Sequence, residues 1–332
     1  MLFKTIDEIR NFWPVPVSDK IANVKPFIVQ AERDYIIPAI SQAQYDTLST
    51  AYNVTTPSLS PALTKLLEKV QAALALYSYY LWIPSGQLQI SDSGIRIASN
   101  EQLKTAFQWQ IDELQRSVIK QAGGAMEDLL AFMETNKGDY AGWSGSSAYT
   151  EFKGCFIPTA VIFTSFYSAL GNSRLNFLAV RSHMKRVEDM IIQSELSPAF
   201  YAELKSQNTA NNLSVVNKKV IPLLQNAIAN LTMANAFTTL SVIINENGIL
   251  NFNNTGNSQL VNTKQPSAPS MISKLELQAE KDGRAYLQML KEFLKTNIVD
   301  YPTYAASTAY NSETTDTFFK NDDNQTGFVA ML

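Results

Sequence analysis

The feature that most constrains this chain is that it repeats itself. Sliding the sequence along itself by 156 positions brings Glu32, Ile36, Ser41, Tyr45 and Leu48 onto Glu188, Ile192, Ser197, Tyr201 and Leu204. A shift of 154 brings Lys65, Ala73, Ala75, Gly94 and Ile95 onto Lys219, Ala227, Ala229, Gly248 and Ile249. A shift of 161 brings Leu129, Phe132, Thr135, Asn136, Asp139 and Tyr140 onto Leu290, Phe293, Thr296, Asn297, Asp300 and Tyr301. Ser146, Ala148 and Tyr149 meet Ser307, Ala309 and Tyr310 in that last register. The shifts follow one another along the chain and differ only by small insertions, as in a duplicated domain. Solenoid repeats have periods of roughly 20–50 residues. A period this long is a whole domain, and two of them suit a 332-residue chain.

Each copy reads as the same succession of elements. In the first, a helix is predicted near 26–39, with Pro26 at an early position, then a short helical turn opened by Ser41. Its counterpart covers about 175–193, followed by Ser197-Pro198 as N-cap and first residue. A long helix then starts at Ser60-Pro61. Leu63, Leu66, Leu67, Val70, Leu74 and Leu81 follow the spacing of a buried face. Its counterpart runs from about Val215 to Leu240. Next come the alternating stretches QLQI-SDSG-IRIA and SVII-NENG-ILNF, each of which reads as a β-hairpin, the second around an Asn-Gly turn. A third helix follows, about 101–136 and about 270–297, with Gly123-Gly124 expected to kink or split the first. The reading is therefore mainly α, two tandem helical-bundle repeats with an inserted hairpin each. Repeat 1 is 1–150 with its hairpin near 87–98, repeat 2 is 151–310 with its hairpin near 241–252, and 311–332 is a tail.

Composition narrows the function classes. Hydrophobic residues make up 45% and charged residues 17%, which places the chain among globular proteins. A net charge of −3 argues against gripping nucleic acid through a basic face. One cysteine, Cys155, excludes an internal disulfide framework and reads as a buried hydrophobe. No stretch resembles a signal peptide, and the uncharged runs 70–91 and 220–245 are broken by polar residues and prolines, so no membrane span and a cytoplasmic site of synthesis are expected.

Chemistry is hard to find. The single histidine, His183, removes Ser-His-Asp and zinc-cluster arrangements in their usual forms. No phosphate-binding glycine motif is present, and the glycines of GDYAGWSGSS miss the spacing of a nucleophile elbow. Asp322-Asp323-Asn324 begins like a calcium loop but lacks the glutamate that closes one. The expectation is no catalytic residue, no cofactor and no metal. Aromatics cluster at Tyr77, Tyr79, Tyr80 and Trp82, and Tyr140, Trp143 and Tyr149 recur as Tyr301, Tyr304 and Tyr310. They read foremost as core, and alternatively as a binding surface.

Two segments carry a resemblance. AERDYIIPAISQAQYDTL and ALTKLLEKVQAALALYSYYLWIPSGQLQISDSGIRI, over roughly 26–98 and more faintly 175–252, resemble a family of tailed phages and prophages of gut-type bacteria, crAss-like phages included. Its members look like elaborated head–tail connector (adaptor) proteins, helical bundles that form a ring beneath the portal. The resemblance implies a virion structural protein at the neck, assembled with itself into a ring of about twelve copies. Its other partners would be the portal and tail or neck proteins, with DNA only as passing cargo. The residues it offers for subunit contacts are Asp92, Gly94, Glu246, Asn247 and Gly248 at the hairpin tips, and Phe318, Phe319 and Phe328 in the tail. Another neck or tail ring is the alternative, and a bacterial ligand- or glycan-binding protein a more distant one.

Overall fold

In the computed structural model, which describes residues 1–13, 20–54, 59–86, 88–91, 94–97, 107–240, 242–245, 248–251 and 269–310, each repeat wraps shorter helices around one long apolar helix. In the first repeat α1 (Ile6–Arg10) and α2 (Ile21–Ala31) lead into a π turn at Glu32–Ile36, then α3 (Ile37–Ile40) and α4 (Gln42–Asn53). The central helix, α5 (Pro61–Gly86), is followed by β1 (Leu88–Ser91) and β2 (Gly94–Ile97), paired antiparallel with Leu88 opposite Ile97. Then come α6 (Gln108–Thr135), α7 (Ala141–Ser144) and α8 (Ser147–Phe152).

The second repeat runs through α9 (Ala160–Phe166), α10 (Arg174–Val187), a π turn at Glu188–Ile192, α11 (Gln193–Leu196) and α12 (Pro198–Ala210). The central helix α13 (Asn217–Leu240) precedes β3 (Val242–Asn245) and β4 (Gly248–Asn251), which pair antiparallel with Val242 opposite Asn251. α14 (Pro269–Thr296) and α15 (Pro302–Ala305) follow. The described chain is mainly helical.

A helix that is apolar on every side has to be surrounded. In α5, Val70, Gln71, Ala73, Leu74, Ala75, Leu76, Tyr77 and Ser78 are all buried, enclosed by α6 and α2. Ser60 caps it, its Oγ accepting the Leu63 N–H at 3.2 Å. α13 is enclosed in the same way by α14 and α10. The two cores stay separate, one built from Leu2 to Phe152 and the other from Cys155 to Tyr304.

The duplicated sequence folds into duplicated detail. Asn136 and Asn297 stop α6 and α14 by donating from Nδ2 to Phe132 O and Phe293 O, both at 2.8 Å. Tyr140 donates to Ala62 O and Tyr301 to Val216 O, both at 3.1 Å, tying the foot of each third helix to the start of the central one. Ser146 and Ser307 cap the next turn, each accepting from the amide of Tyr149 or Tyr310 at 3.3 Å. Ser41 and Ser197 join two helices with no connecting loop, at φ of 72° and 70° with extended ψ. That region is essentially confined to glycine and costs on the order of 1–3 kcal/mol. Here the serine hydroxyl offsets part of the cost by capping the next helix.

Three sequence expectations need correction. The helix expected near 26–39 starts at Ile21, so Pro26 lies inside it, on an exposed face. The turn opened by Ser41 is a 12-residue helix. α6 passes Gly123-Gly124 without a break. A Cβ on Gly123 would lie 3.0 Å from the Arg174 Cβ, so this glycine serves the close crossing of α10.

Glycine substitutions separate these roles. Nothing lies within 4 Å of a Cβ on Gly124, whereas one on Gly283 would lie 2.6 Å from Leu231 Cγ and 3.0 Å from Leu231 N. Gly124→Ala is expected to stabilise by about 0.5–1 kcal/mol and Gly283→Ala to destabilise by about 1–3 kcal/mol, read from urea unfolding midpoints.

Candidate functional site

The most tightly built place in each repeat is the entry of its first segment into the core. Leu2 and Phe3 are completely buried, as are Phe156 and Ile157. An extended strand brought into a core carries amide and carbonyl groups that need partners. Two side chains supply them. Glu32 Oε1 accepts the Leu2 N–H at 2.6 Å, and Gln71 Nε2 donates to Leu2 O at 2.7 Å. In the second repeat Glu188 Oε1 accepts the Phe156 N–H at 2.7 Å and Gln225 Nε2 donates to Phe156 O at 2.7 Å. Thr5 and Thr159 then cap α1 and α9. Glu32 and Glu188 open the two π turns, whose extra residue per turn sets them into the core. We call this arrangement the clamp and the apolar pair it holds the plug.

Burial pushes the Glu188 carboxyl up, and Lys205 Nζ at 2.5 Å pulls it back down. Tyr201 adds a longer hydrogen bond of 3.4 Å. In the first repeat the amino group of Met1 lies 3.9 Å from Glu32. Sequence reasoning placed the first helix of each repeat near 26 and 175, assigned no element to the segment before it, and so missed the clamp. The signal was there at the shift of 154, which also places Thr5 on Thr159 and Phe12 on Phe166.

The repeats meet across a second buried carboxylate. Glu127 on α6 accepts the Ala160 N–H at 2.9 Å and pairs with Arg174 of α10 at 2.7 Å. Lys153 reaches Glu134 at 3.1 Å and Asn211 at 2.8 Å, binding the ends of α6 and α12. A cleft of about 210 Å³ lies over this joint, lined by Tyr35, Tyr77, Met126, Arg174, Leu178 and Arg181 among others. Small-molecule sites are usually about 300–1,000 Å³, and both arginines are already paired with carboxylates. The cleft is a seam between repeats.

The residues singled out from sequence fall into three groups. Tyr140, Trp143, Tyr149, Tyr301 and Tyr304 are buried in the two cores, so the binding-surface reading fails for them. Trp143 donates to Ala39 O at 3.0 Å. His183 Nδ1 lies 3.1 Å from Asn235 Oδ1, and Cys155 is buried. Gly94 and Gly248 are the first residues of β2 and β4. Asp92, Glu246, Asn247, Phe318, Phe319 and Phe328 lie outside the described residues, as does the calcium-like stretch at 322–327. Among the described residues no group of three or more His, Cys, Asp or Glu side chains could hold a metal, and no helix is long and apolar enough to cross a membrane.

Two measurements check this account. Glu127→Ala leaves Arg174 buried without its carboxylate, which costs about 3–5 kcal/mol. Calorimetry is expected to split one unfolding transition into two as the repeats uncouple; a single unshifted transition would contradict the joint. Burial pushes the Cys155 thiol up to about 11 and Tyr77 up to about 12. Native protein at pH 8 should therefore leave Cys155 unlabelled by a thiol reagent, with labelling only after unfolding. Tyr77 lies above the ordinary tyrosine value of about 10, so folding favours its protonated form. That contribution is complete below the ordinary value and is lost as pH rises toward about 12.

Comparison with known families places this geometry. One family model matches residues 36–153 and again residues 192–314. No curated protein and no solved structure matches the chain. The two matches cover the two repeats in turn, from just past each clamp glutamate, and the chain therefore belongs to a family of unknown function, DUF6712, whose unit it carries twice.

Proposed function

We propose that this chain is a virion structural protein of a tailed phage or prophage, a head–tail connector that assembles as a ring at the portal and lets DNA pass. The observation that carries a structural role is where the buried polar groups go. Glu32, Gln71, Glu188 and Gln225 hold this chain's own main chain. Glu127 and Lys153 hold one repeat against the other. In the cleft described above, Arg174 and Arg181 are likewise turned to this chain's own Glu127 and Glu151. The phage assignment rests on the sequence resemblance over roughly 26–98 and 175–252.

A ring needs contacts between copies that differ from the joint inside the chain. On α14 the positions matching Gly123, Glu127 and Leu130 are Arg284, Gln288 and Lys291. Lys291 closes over this face by pairing with Glu195 at 2.5 Å. The second repeat therefore does not offer a third one the seat that the first offers the second. The β1–β2 and β3–β4 pairs and the tail are the remaining candidates for subunit contacts. A glycan-binding role is less well supported, because five of the six recurring aromatics are buried and Tyr310 is half-buried against the second core.

Light scattering on the purified chain, alone and mixed with a portal protein of the same phage or prophage, tests the proposal. A ring-sized mass, or a discrete complex with portal, is expected. A monomer indifferent to portal would sink the connector reading.

A further inference from the structure

The clamp gives a rule for recognising a plug in sequence, and the tail carries a third match to it. The two plugs read Leu2-Phe3-Lys4-Thr5 and Phe156-Ile157-Pro158-Thr159, an apolar pair, one spacer and a helix-capping threonine. Seven residues beyond each threonine stands a phenylalanine, Phe12 and Phe166, packed against the same core as its plug. The tail reads Phe318-Phe319-Lys320-Asn321, with Phe328 seven residues beyond Asn321. Asparagine is as good an N-cap as threonine. Asp322 and Asp323 follow it where acidic residues favour a first helical turn, as Asp7 and Glu8 do in α1. The placement along the chain also repeats. Phe156 follows Tyr149 by seven residues, and Phe318 follows the matching Tyr310 by eight. The departure is Gln325, which stands where Ile9 and Phe163 are buried. The sequence keeps the apolar pair and the capping residue type, but not every apolar position of α1 and α9.

Both clamps of a chain already hold a plug, and the second plug arrives from the end of the repeat before it. A plug that follows the second repeat therefore meets two filled clamps among the described residues and can be seated there only by exchange. We propose that residues 318–328 are a third plug, which enters the Glu32–Gln71 clamp of a second copy of this chain in exchange for that copy's own Leu2-Phe3. The clamp is suited to such an exchange because it holds the plug through one amide and one carbonyl, which every sequence carries. The side chains matter only as two apolar groups of adequate size. Exchange of equivalent elements between copies replaces like contacts with like, so it depends on the concentration of copies. The contact runs from the end of one chain to the start of the next, a heterologous arrangement that closes into a ring or extends as a filament. The inference stands on the clamp and does not require the phage reading.

The test uses the full chain with a benzophenone amino acid in place of Phe319, prepared as a mixture of isotopically heavy and light copies and irradiated. The expected products are heavy–light cross-links to peptides containing Glu32 or Gln71. Cross-links confined to one chain, cross-links away from that clamp, or none at all would overturn the proposal. A second readout avoids the probe. In sedimentation velocity the wild-type chain is expected to gain mass with concentration, and Phe318→Ser/Phe319→Ser to stay at monomer mass with an unchanged melting temperature. Identical behaviour of the two would overturn it as well. Portal binding and self-association that both survive the double substitution would leave the connector reading standing while removing this one.

Discussion

Everything in each repeat is arranged around a buried carboxylate that accepts one main-chain N–H. A two-residue apolar segment can fill the end of a helical bundle only if its amide and carbonyl are satisfied there, because an unpaired buried polar group costs about 1–3 kcal/mol. Glu32 with Gln71, and Glu188 with Gln225, meet that requirement from two different helices. The π turns place the glutamates, and the central helices place the glutamines on their buried side. Removing a glutamate would leave an amide without an acceptor and a plug without a seat. The clamp thus joins the first segment, the second helix and the central helix into one structure.

The joint between repeats uses the same device in another place. Glu127 takes the amide of Ala160, the first residue of α9, and Arg174 supplies the opposite charge. Gly123 lets the two helices approach closely enough for that pair to form. The matching positions on α14 are polar and already engaged, Arg284 with Glu280, Gln288 with Glu292 and Lys291 with Glu195, so α14 does not repeat this joint. Growth beyond the chain has to use other parts of it, which is consistent with surfaces outside the helical core carrying assembly.

Sequence alone revealed the duplication, the long central helices and the approximate ends of the third helices near 136 and 297, since these rest on repeated positions or on long apolar runs. It revealed less of what depends on tertiary placement. A plug of two residues has no periodicity, so Leu2-Phe3 looked like an ordinary terminus. The π turns and the unusual backbone at Ser41 and Ser197 follow from how helices meet, and serine does not announce them. The aromatic clusters could have faced a core or a partner. Only the bonds from Tyr140 and Tyr301 to carbonyls of neighbouring helix starts settle that they close the bundle from within.

Native-state hydrogen exchange at the amides of Leu2 and Phe156 tests the clamp most directly. Residue 2 of a chain ordinarily frays, and a short segment outside helices, as at Phe156, ordinarily exchanges faster than a helix interior. If the clamp organises each repeat, both amides exchange only through global unfolding of their repeat, as slowly as the central residues of α5 and α13. Exchange of either amide at the rate of a frayed end, with α5 and α13 still protected, would contradict the account.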